Sequence, residues 1–194
     1  MDAAALPRRS IADWGKAVEP NLAMLRDIYR FDCQYGEFTI QLNREAAPET
    51  CAYFTRVFSS PDFARANIFR IVTETNSSPY AAVPIEVIQF GLDHIVSESL
   101  DQIVHETTEM TSLKHLKWTV SAARFGKGEV YPSCFICMRD EPELDHGGQR
   151  NGDGAGFAAF GKVISGFETL QWIFAQAEAE DYLKDAIPVE IVEK

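Results

Sequence analysis

The sequence predicts a mainly β domain closed into a barrel and preceded by a short helical extension, and three observations carry that expectation. From residue 31 onward the chain holds many short runs of strand composition, only two stretches with helical periodicity, and no regular alternation of strand with helix. A parallel α/β sheet needs that alternation, whereas a run of short strands closes more readily on itself. At 194 residues, 46% hydrophobic and with 13 Phe, the chain can fill one core well and is short for two. We therefore expect an extension at residues 1–30 and a single domain at residues 31–194.

Residues 1–30 are broken at Pro7 and Pro20 and carry Ile11, Trp14 and Val18, then Leu22, Leu25 and Ile28, at helical spacing. Helical material packed on the flank of the domain is expected there. From Phe31 the pattern becomes that of strands. After a turn at Gly36, Phe38-Thr39-Ile40-Gln41-Leu42 alternates with a period of two, with Phe38, Ile40 and Leu42 on one side. Pro48 suits a first helical position, and Cys51, Phe54, Val57 and Phe58 share a face until Ser59-Ser60-Pro61 ends the helix. The next strand, Asn67-Ile68-Phe69-Arg70-Ile71-Val72, places an obligatory cation inside an apolar run. Strict alternation points Phe69 and Ile71 one way and Ile68, Arg70 and Val72 the other. A guanidinium so placed is either paired with a carboxylate or aimed at a ligand from the floor of an apolar cleft.

Residues 73–84, with their Asn, Ser and Pro content, predict an irregular loop, after which Ile85-Glu86-Val87-Ile88-Gln89-Phe90-Gly91 resumes as strand. Residues 92–117 are polar, alternate weakly and are expected to be mostly loop; their His94, His105 and His115 lack metal-ligand spacing. Trp118-Thr119-Val120-Ser121-Ala122-Ala123 and residues 134–138 predict two strands joined by a Gly-containing loop. Within the Gly- and acid-rich residues 140–156, Asn151-Gly152-Asp153-Gly154 faintly resembles a calcium loop but lacks the regular ligand spacing and the closing Glu. Phe157-Ala158-Ala159-Phe160-Gly161-Lys162-Val163 is another strand. A second helix follows Ser165-Gly166, with Phe167, Leu170, Phe174 and Ala177 on one face and Glu178, Glu180 and Asp181 at its end. Residues 187–192 form the last strand.

A net charge of -11 argues against a nucleic-acid or anionic-membrane partner, since both demand a basic face. No apolar run approaches the roughly twenty residues of a membrane span, and the N-terminus lacks the order of a signal peptide, so a cytoplasmic protein is expected. Cys33, Cys51, Cys134 and Cys137 suit small buried hydrophobes better than a disulfide framework. Cys134 and Cys137 have the spacing of a redox or zinc pair. In a strand, however, residues three apart face opposite sides, and no second pair exists; no metal and no cofactor are expected.

Taken in order, these elements resemble the cyclophilin family of peptidyl-prolyl cis-trans isomerases over residues 31–192. Gly36 to Leu42 followed by Ala47-Pro48-Glu49-Thr50 and Phe54 is similar to the family's opening strand and its APxTxxNF helix. Ile68-Phe69-Arg70-Ile71-Val72 resembles the FHRVI strand, whose arginine is the central catalytic residue. Val87-Ile88-Gln89-Phe90-Gly91 resembles MIQGG, which supplies a glutamine to the same site. Val120-Ser121-Ala122-Ala123 is similar to LSMA, Ser133-Cys134-Phe135-Ile136 to SQFFI, and Phe160-Gly161-Lys162-Val163-Ile164-Ser165-Gly166 to FGKVVEG. Each is weak alone; six in order and at sensible spacing are strong. The resemblance implies a closed eight-stranded antiparallel barrel capped by two helices. It differs where the family holds its substrate. Phe69 replaces a His, Glu86 stands where an aromatic is expected, Ile136 stands for the Phe of the pocket base, and Phe157 approximates a pocket His. The usual Trp has no counterpart between residues 140 and 156.

The activity so implied is isomerisation of X-Pro bonds in peptides and proteins, assisting folding. Rotation about such a bond is slow because amide resonance must be broken, at a barrier of about 18–20 kcal/mol. In the twisted state the proline nitrogen regains its lone pair, and a donor placed there binds that state best. Arg70 is the expected donor, against a competing salt bridge to Glu86, and Gln89 is expected to hold a substrate backbone group. Phe69, Glu86, Val87, Cys134, Ile136 and Phe157 are the expected substrate-binding residues, and Ser121 and Ser133 are structural. Proline-containing peptides or proteins are the expected partners, with weak cyclosporin binding. Two further readings compete: a binding module or scaffold that keeps the fold and Arg70 but has lost most turnover, and a metal or redox protein using Cys134 and Cys137.

Overall fold

Ten strands and three helices run along the residues described by a computed structural model of the chain, 27–77, 82–93 and 100–193. The strands are β1 (Ile28–Cys33), β2 (Gly36–Leu42), β3 (Asn67–Val72), β4 (Val87–Gly91), β5 (Asp101–Gln102), β6 (Thr119–Arg124), β7 (Glu129–Cys137), β8 (Ala159–Ser165), β9 (Tyr182–Pro188) and β10 (Glu190–Glu193). The helices are α1 (Pro48–Ser59), α2 (Thr108–Thr111) and α3 (Phe167–Phe174). Every strand pairing is antiparallel.

One sheet runs in the order β10, β1, β2, β8, β6, β7, β4, β3, β9, with β5 added on β7. Its two outermost strands, β9 and β10, follow one another in the chain. Only Val189 separates them, and its N–H is tied to the carbonyl of Ala66 at 3.1 Å. Setting aside the two-residue β5 and taking β9 with β10 as one interrupted strand reduces ten to eight around a nearly closed barrel, the mainly β fold the sequence predicts. Closure removes the exposed sheet edges that would otherwise recruit other strands.

The barrel interior is aromatic. Phe31 stacks on Phe38 at 5.1 Å and meets Phe90 edge-on at 5.2 Å, while Phe54 of α1 stacks on Phe160 of β8 at 4.4 Å. Alternation in β2 sends Phe38, Ile40 and Leu42 inward. Helix α1 closes the barrel with Cys51, Tyr53, Phe54, Val57 and Phe58, all buried. A second apolar cluster lies apart from this interior. It contains Val72, Ile85, Val87, Ala123, Phe135, Cys137 and Leu144, with Tyr131 and Phe157 packed against it.

The start of α1 has no capping side chain of its own, since Ala47 precedes Pro48. A distant carboxylate fills that role. Glu106, buried, accepts from the N–H of Glu49 at 3.1 Å and of Thr50 at 2.8 Å, and from the Thr50 hydroxyl at 2.6 Å. Anionic oxygens suit the unpaired donors and the positive end of a helix. Thus the polar segment at residues 92–117 is more than loop: it supplies this cap and the short helix α2. Gly91 ends β4 at φ +126, and a Cβ there would meet the Pro132 carbonyl oxygen at 2.7 Å. Only glycine fits that crossing.

Several boundaries differ from the sequence reading. Strand β1 begins at Ile28, ahead of the expected start at Phe31, so Ile28 belongs to the barrel and pairs with Gln41. The helical expectation for residues 1–26 lies outside the described residues, as does His94. Helix α3 stops at Phe174 before Ala177, and it buries Leu170 and Ile173 while Phe167 stays exposed. The last strand pair begins at Tyr182 rather than Ile187.

Candidate active site

Strand β3 does not keep the strict alternation of an ideal strand. A bulge interrupts its pairing with both β4 and β9 between Ile68 and Arg70. A bulge adds a residue to one strand and re-aims side chains. Its effect here is that Ile68 and Ile71 both enter the barrel interior, while Phe69 and Arg70, consecutive residues, both line a hollow of about 410 Å³ outside it. The expected pairing of Arg70 with Ile68 on one face is therefore corrected. The irregularity turns the guanidinium out of the barrel.

The hollow lies over β6, β7, β4, β3 and β9, which are consecutive in the sheet. Val87, Phe135, Ala123 and Ile85 form its apolar floor, Phe157 stands on Phe135 edge-to-face at 5.5 Å, and Tyr182 closes the side by Phe69. Arg70 Nε and Nη2 both donate to Asp181 Oδ2, at 2.9 and 2.6 Å, and Nη1 donates to Gln89 Oε1 at 3.3 Å. Its guanidinium also lies 5.3 Å from the centre of the Tyr182 ring. Gln89 is held in turn, its Nε2 donating to Ser133 Oγ at 3.1 Å. The carboxylate partner is Asp181, not Glu86.

Local pairing explains how Asp181 reaches Arg70. The N–H of Ile71 donates to the Asp181 carbonyl at 2.8 Å, and Arg70 is in register with Tyr182. Asn76 fixes the same junction, its Nδ2 donating to the carbonyls of Ile71 at 2.9 Å and Glu178 at 3.0 Å.

Two more arginines line the hollow. Arg124 is bound bidentately by Asp153, at 2.8 and 2.7 Å, donates through Nε to the Gly156 carbonyl at 2.7 Å, and lies 5.0 Å from the centre of the Phe157 ring. The Arg124 guanidinium holds the Asp153 carboxyl down at about 2, although Asp153 is well exposed. The calcium-loop likeness at this aspartate is thus an arginine clasp. Arg150 Nη1 donates to the Val83 carbonyl at 2.6 Å and to Ser77 Oγ at 3.0 Å. Behind the floor, His115 lies against Phe135, with Nδ1 2.8 Å from Asp145 and Nε2 2.9 Å from Ser121 Oγ. Burial pushes the His115 imidazole below its ordinary value, so it is neutral near pH 7.

Of the expected site residues, the structure brings Arg70, Gln89, Phe69, Val87 and Phe157 together around the hollow. It does not place Cys134, Ile136 or Glu86 there. Cys134 and Ile136 are fully buried in the barrel interior, and Phe135 between them faces the hollow. A one-residue slip in assigning β7 exchanges the two faces of a strand. The pairing of Phe135 with Gln89 across β4 and β7 identifies the correct face. Glu86 lies just before β4 at the Arg139 cluster, 4.0 Å from Arg139, which also binds Glu141 and Glu74. Asp181, Tyr182, Arg124 and Arg150 were not singled out from the sequence for this site, because only the register of β9 and the path of residues 142–157 bring them in. Cys134 and Cys137 fall on opposite faces of β7, and burial raises both thiols well above their ordinary value. Thiols held neutral in this way are poor nucleophiles and metal ligands.

Comparison with known proteins matches residues 28–193 to the family model of cyclophilin type peptidyl-prolyl cis-trans isomerase/CLD. Among solved structures, a cyclophilin type peptidyl-prolyl cis-trans isomerase of Cryptosporidium parvum aligns at a TM-score of 0.63 and 19% identity, over 87% of this chain and 98% of that one. A second structure of that protein, determined in the presence of the dipeptide Ala-Pro, aligns at 0.61 and 19% identity, over 86% and 99%. These structures share the fold. No curated protein matches the sequence.

Proposed function

The chain belongs to the cyclophilin-type peptidyl-prolyl cis-trans isomerase family, and from that premise we propose that it isomerises X-Pro bonds in peptides and proteins at the hollow beside Arg70. The observation that carries this reading is a permanent cation, Arg70, that lines a hollow with an apolar floor and donates through Nη1 to Gln89 beside it. The floor of Val87, Phe135 and Phe157 grips the pyrrolidine ring. Arg70 Nη1 then donates to the proline nitrogen as it becomes pyramidal, and the planar ground states offer no such lone pair. One donor of this kind supplies about 3–4 kcal/mol. Gln89, fixed by Ser133, orients the substrate backbone so that only one side of the bond turns. The altered cyclosporin surface, without a Trp between residues 140 and 156, supports weak binding of that drug.

A protease-coupled assay on a proline tetrapeptide tests the reading. A rate above the spontaneous one that falls in Arg70→Ala is expected. A wild-type rate no greater than the spontaneous one overturns it.

One observation favours a second reading, a proline-peptide binding module with little turnover. Asp181 occupies Nε and Nη2 of Arg70 and so shares its charge. If this pairing withholds the donor, Asp181→Asn accelerates isomerisation; if it positions the donor, the substitution slows it.

A further inference from the structure

Three guanidinium groups line the hollow, and their charges are not equally matched. Arg70 is balanced by Asp181 and Arg124 by Asp153. Arg150 has no ion pair among the described residues. Its Nη1 is anchored by two neutral acceptors, the Val83 carbonyl and Ser77 Oγ. Its backbone is fixed as well, the N–H donating to the Glu143 carbonyl at 3.1 Å. The side chain is thus held in place without its charge being cancelled.

The unused part of Arg150 is the edge carrying Nε and Nη2, which makes no hydrogen bond among the described residues and contains no buried orphan atom. That edge presents two parallel N–H groups, the fork that a carboxylate or phosphate accepts bidentately. Burial, and then the neighbouring charge of Arg70, push the Arg150 guanidinium below its ordinary value. Asp181 and Glu141 offset part of this, but each is already bonded elsewhere, Asp181 to Arg70 and Glu141 to Arg139. A cation kept in this state gains from an incoming anion. The acidity of the whole chain, net -11, makes a surplus positive charge in this hollow more pointed.

We propose that Arg150 forms an anion-recognising subsite beside the proline-gripping floor, so that the protein selects proline peptides carrying a carboxylate or phosphate side chain next to the proline. This rests on the proposed proline-binding reading and deepens it by naming the substrate class. The Nε/Nη2 edge takes the anion while Arg70 stays tied to Asp181 and Gln89.

The test is peptide binding followed by NMR titration of the full chain, which reads occupancy whether or not turnover occurs. Five peptides differ in one residue: Glu or phosphoserine directly before the proline, Glu directly after it, and Ala or Lys before it. Glu or phosphoserine on at least one side is expected to bind about tenfold tighter than Lys, the scale of a charge-assisted pair. The Glu and phosphoserine arms decide which anion fits better. Arg150→Gln should collapse the ratio between anionic and Lys peptides, and Arg150→Lys should restore part of it. Equal binding of Glu, phosphoserine, Ala and Lys peptides by the wild-type protein overturns the subsite and leaves the proline reading standing. No binding by any peptide overturns both. A ratio unchanged in a folded Arg150→Gln, judged by an unchanged melting curve, removes Arg150 from the role.

Discussion

Arg70 gives Nε and Nη2 to Asp181 and Nη1 to Gln89 while lining the hollow, so one side chain is both tethered and presented. The tether should matter for rate more than for fold, because Asp181 sits in a partly exposed segment held by backbone bonds of its own. On the enzyme reading Asp181→Asn lowers kcat with little change in KM, since it loosens the donor without removing the floor; a rise in kcat favours the binding-module reading instead. Gln89→Ala removes the group that fixes Nη1 and should lower kcat/KM by about tenfold or more, on the scale of one positioned hydrogen bond. At this scale the sequence was uneven. Arg70 stood out because a cation interrupts an apolar strand, and Gln89 through the resemblance of its strand to MIQGG. Asp181, 111 positions from Arg70 in the chain, carried no local mark of its partner.

At the level of elements, one arrangement shapes the hollow and another fixes the start of a barrel-closing helix. The β3 bulge turns Phe69 and Arg70 to the same side, and Glu106 caps α1 from a segment that looked like loop. A bulge is a matter of ladder register, which a six-residue run does not reveal, so alternation misassigned the faces of β3. The same limitation exchanged Ile136 for Phe135 in β7, where every neighbouring residue is apolar and either face could pass for the inner one. The strands, the first helix and their order were legible because period-two patterning, Pro48 and the turn glycines act locally. Glu106→Ala should cost about 1–2 kcal/mol, the scale of a lost helix cap, and lower the melting temperature by about 2–8 °C. Calorimetry showing no loss would mean that the cap is dispensable.

For the whole molecule, closure through β9 and β10 means that the acid paired with Arg70 immediately precedes one of the two strands that shut the barrel. Stability and site geometry are therefore linked, and pH acts on the first through buried histidines. Burial lowers His115, beside Asp145 and Lys114, and also lowers His105, against the Ala155 carbonyl, from the ordinary 6.5. Below that value the unfolded chain takes up protons that the folded chain refuses, so this contribution is whole above about pH 6.5 and is lost as pH falls. The melting temperature should drop between about pH 7.5 and 5.5, and His105→Gln should shallow the drop; a flat profile contradicts it. The account as a whole depends on Arg70 acting on a bound proline. Exchange NMR on a prolyl peptide at equilibrium, with wild type beside Arg70→Ala, tests this most directly. The prediction is cis-trans exchange that wild type accelerates and the variant slows by about 100-fold or more, with peptide-induced shifts retained in both. Equal exchange in the two proteins would contradict it.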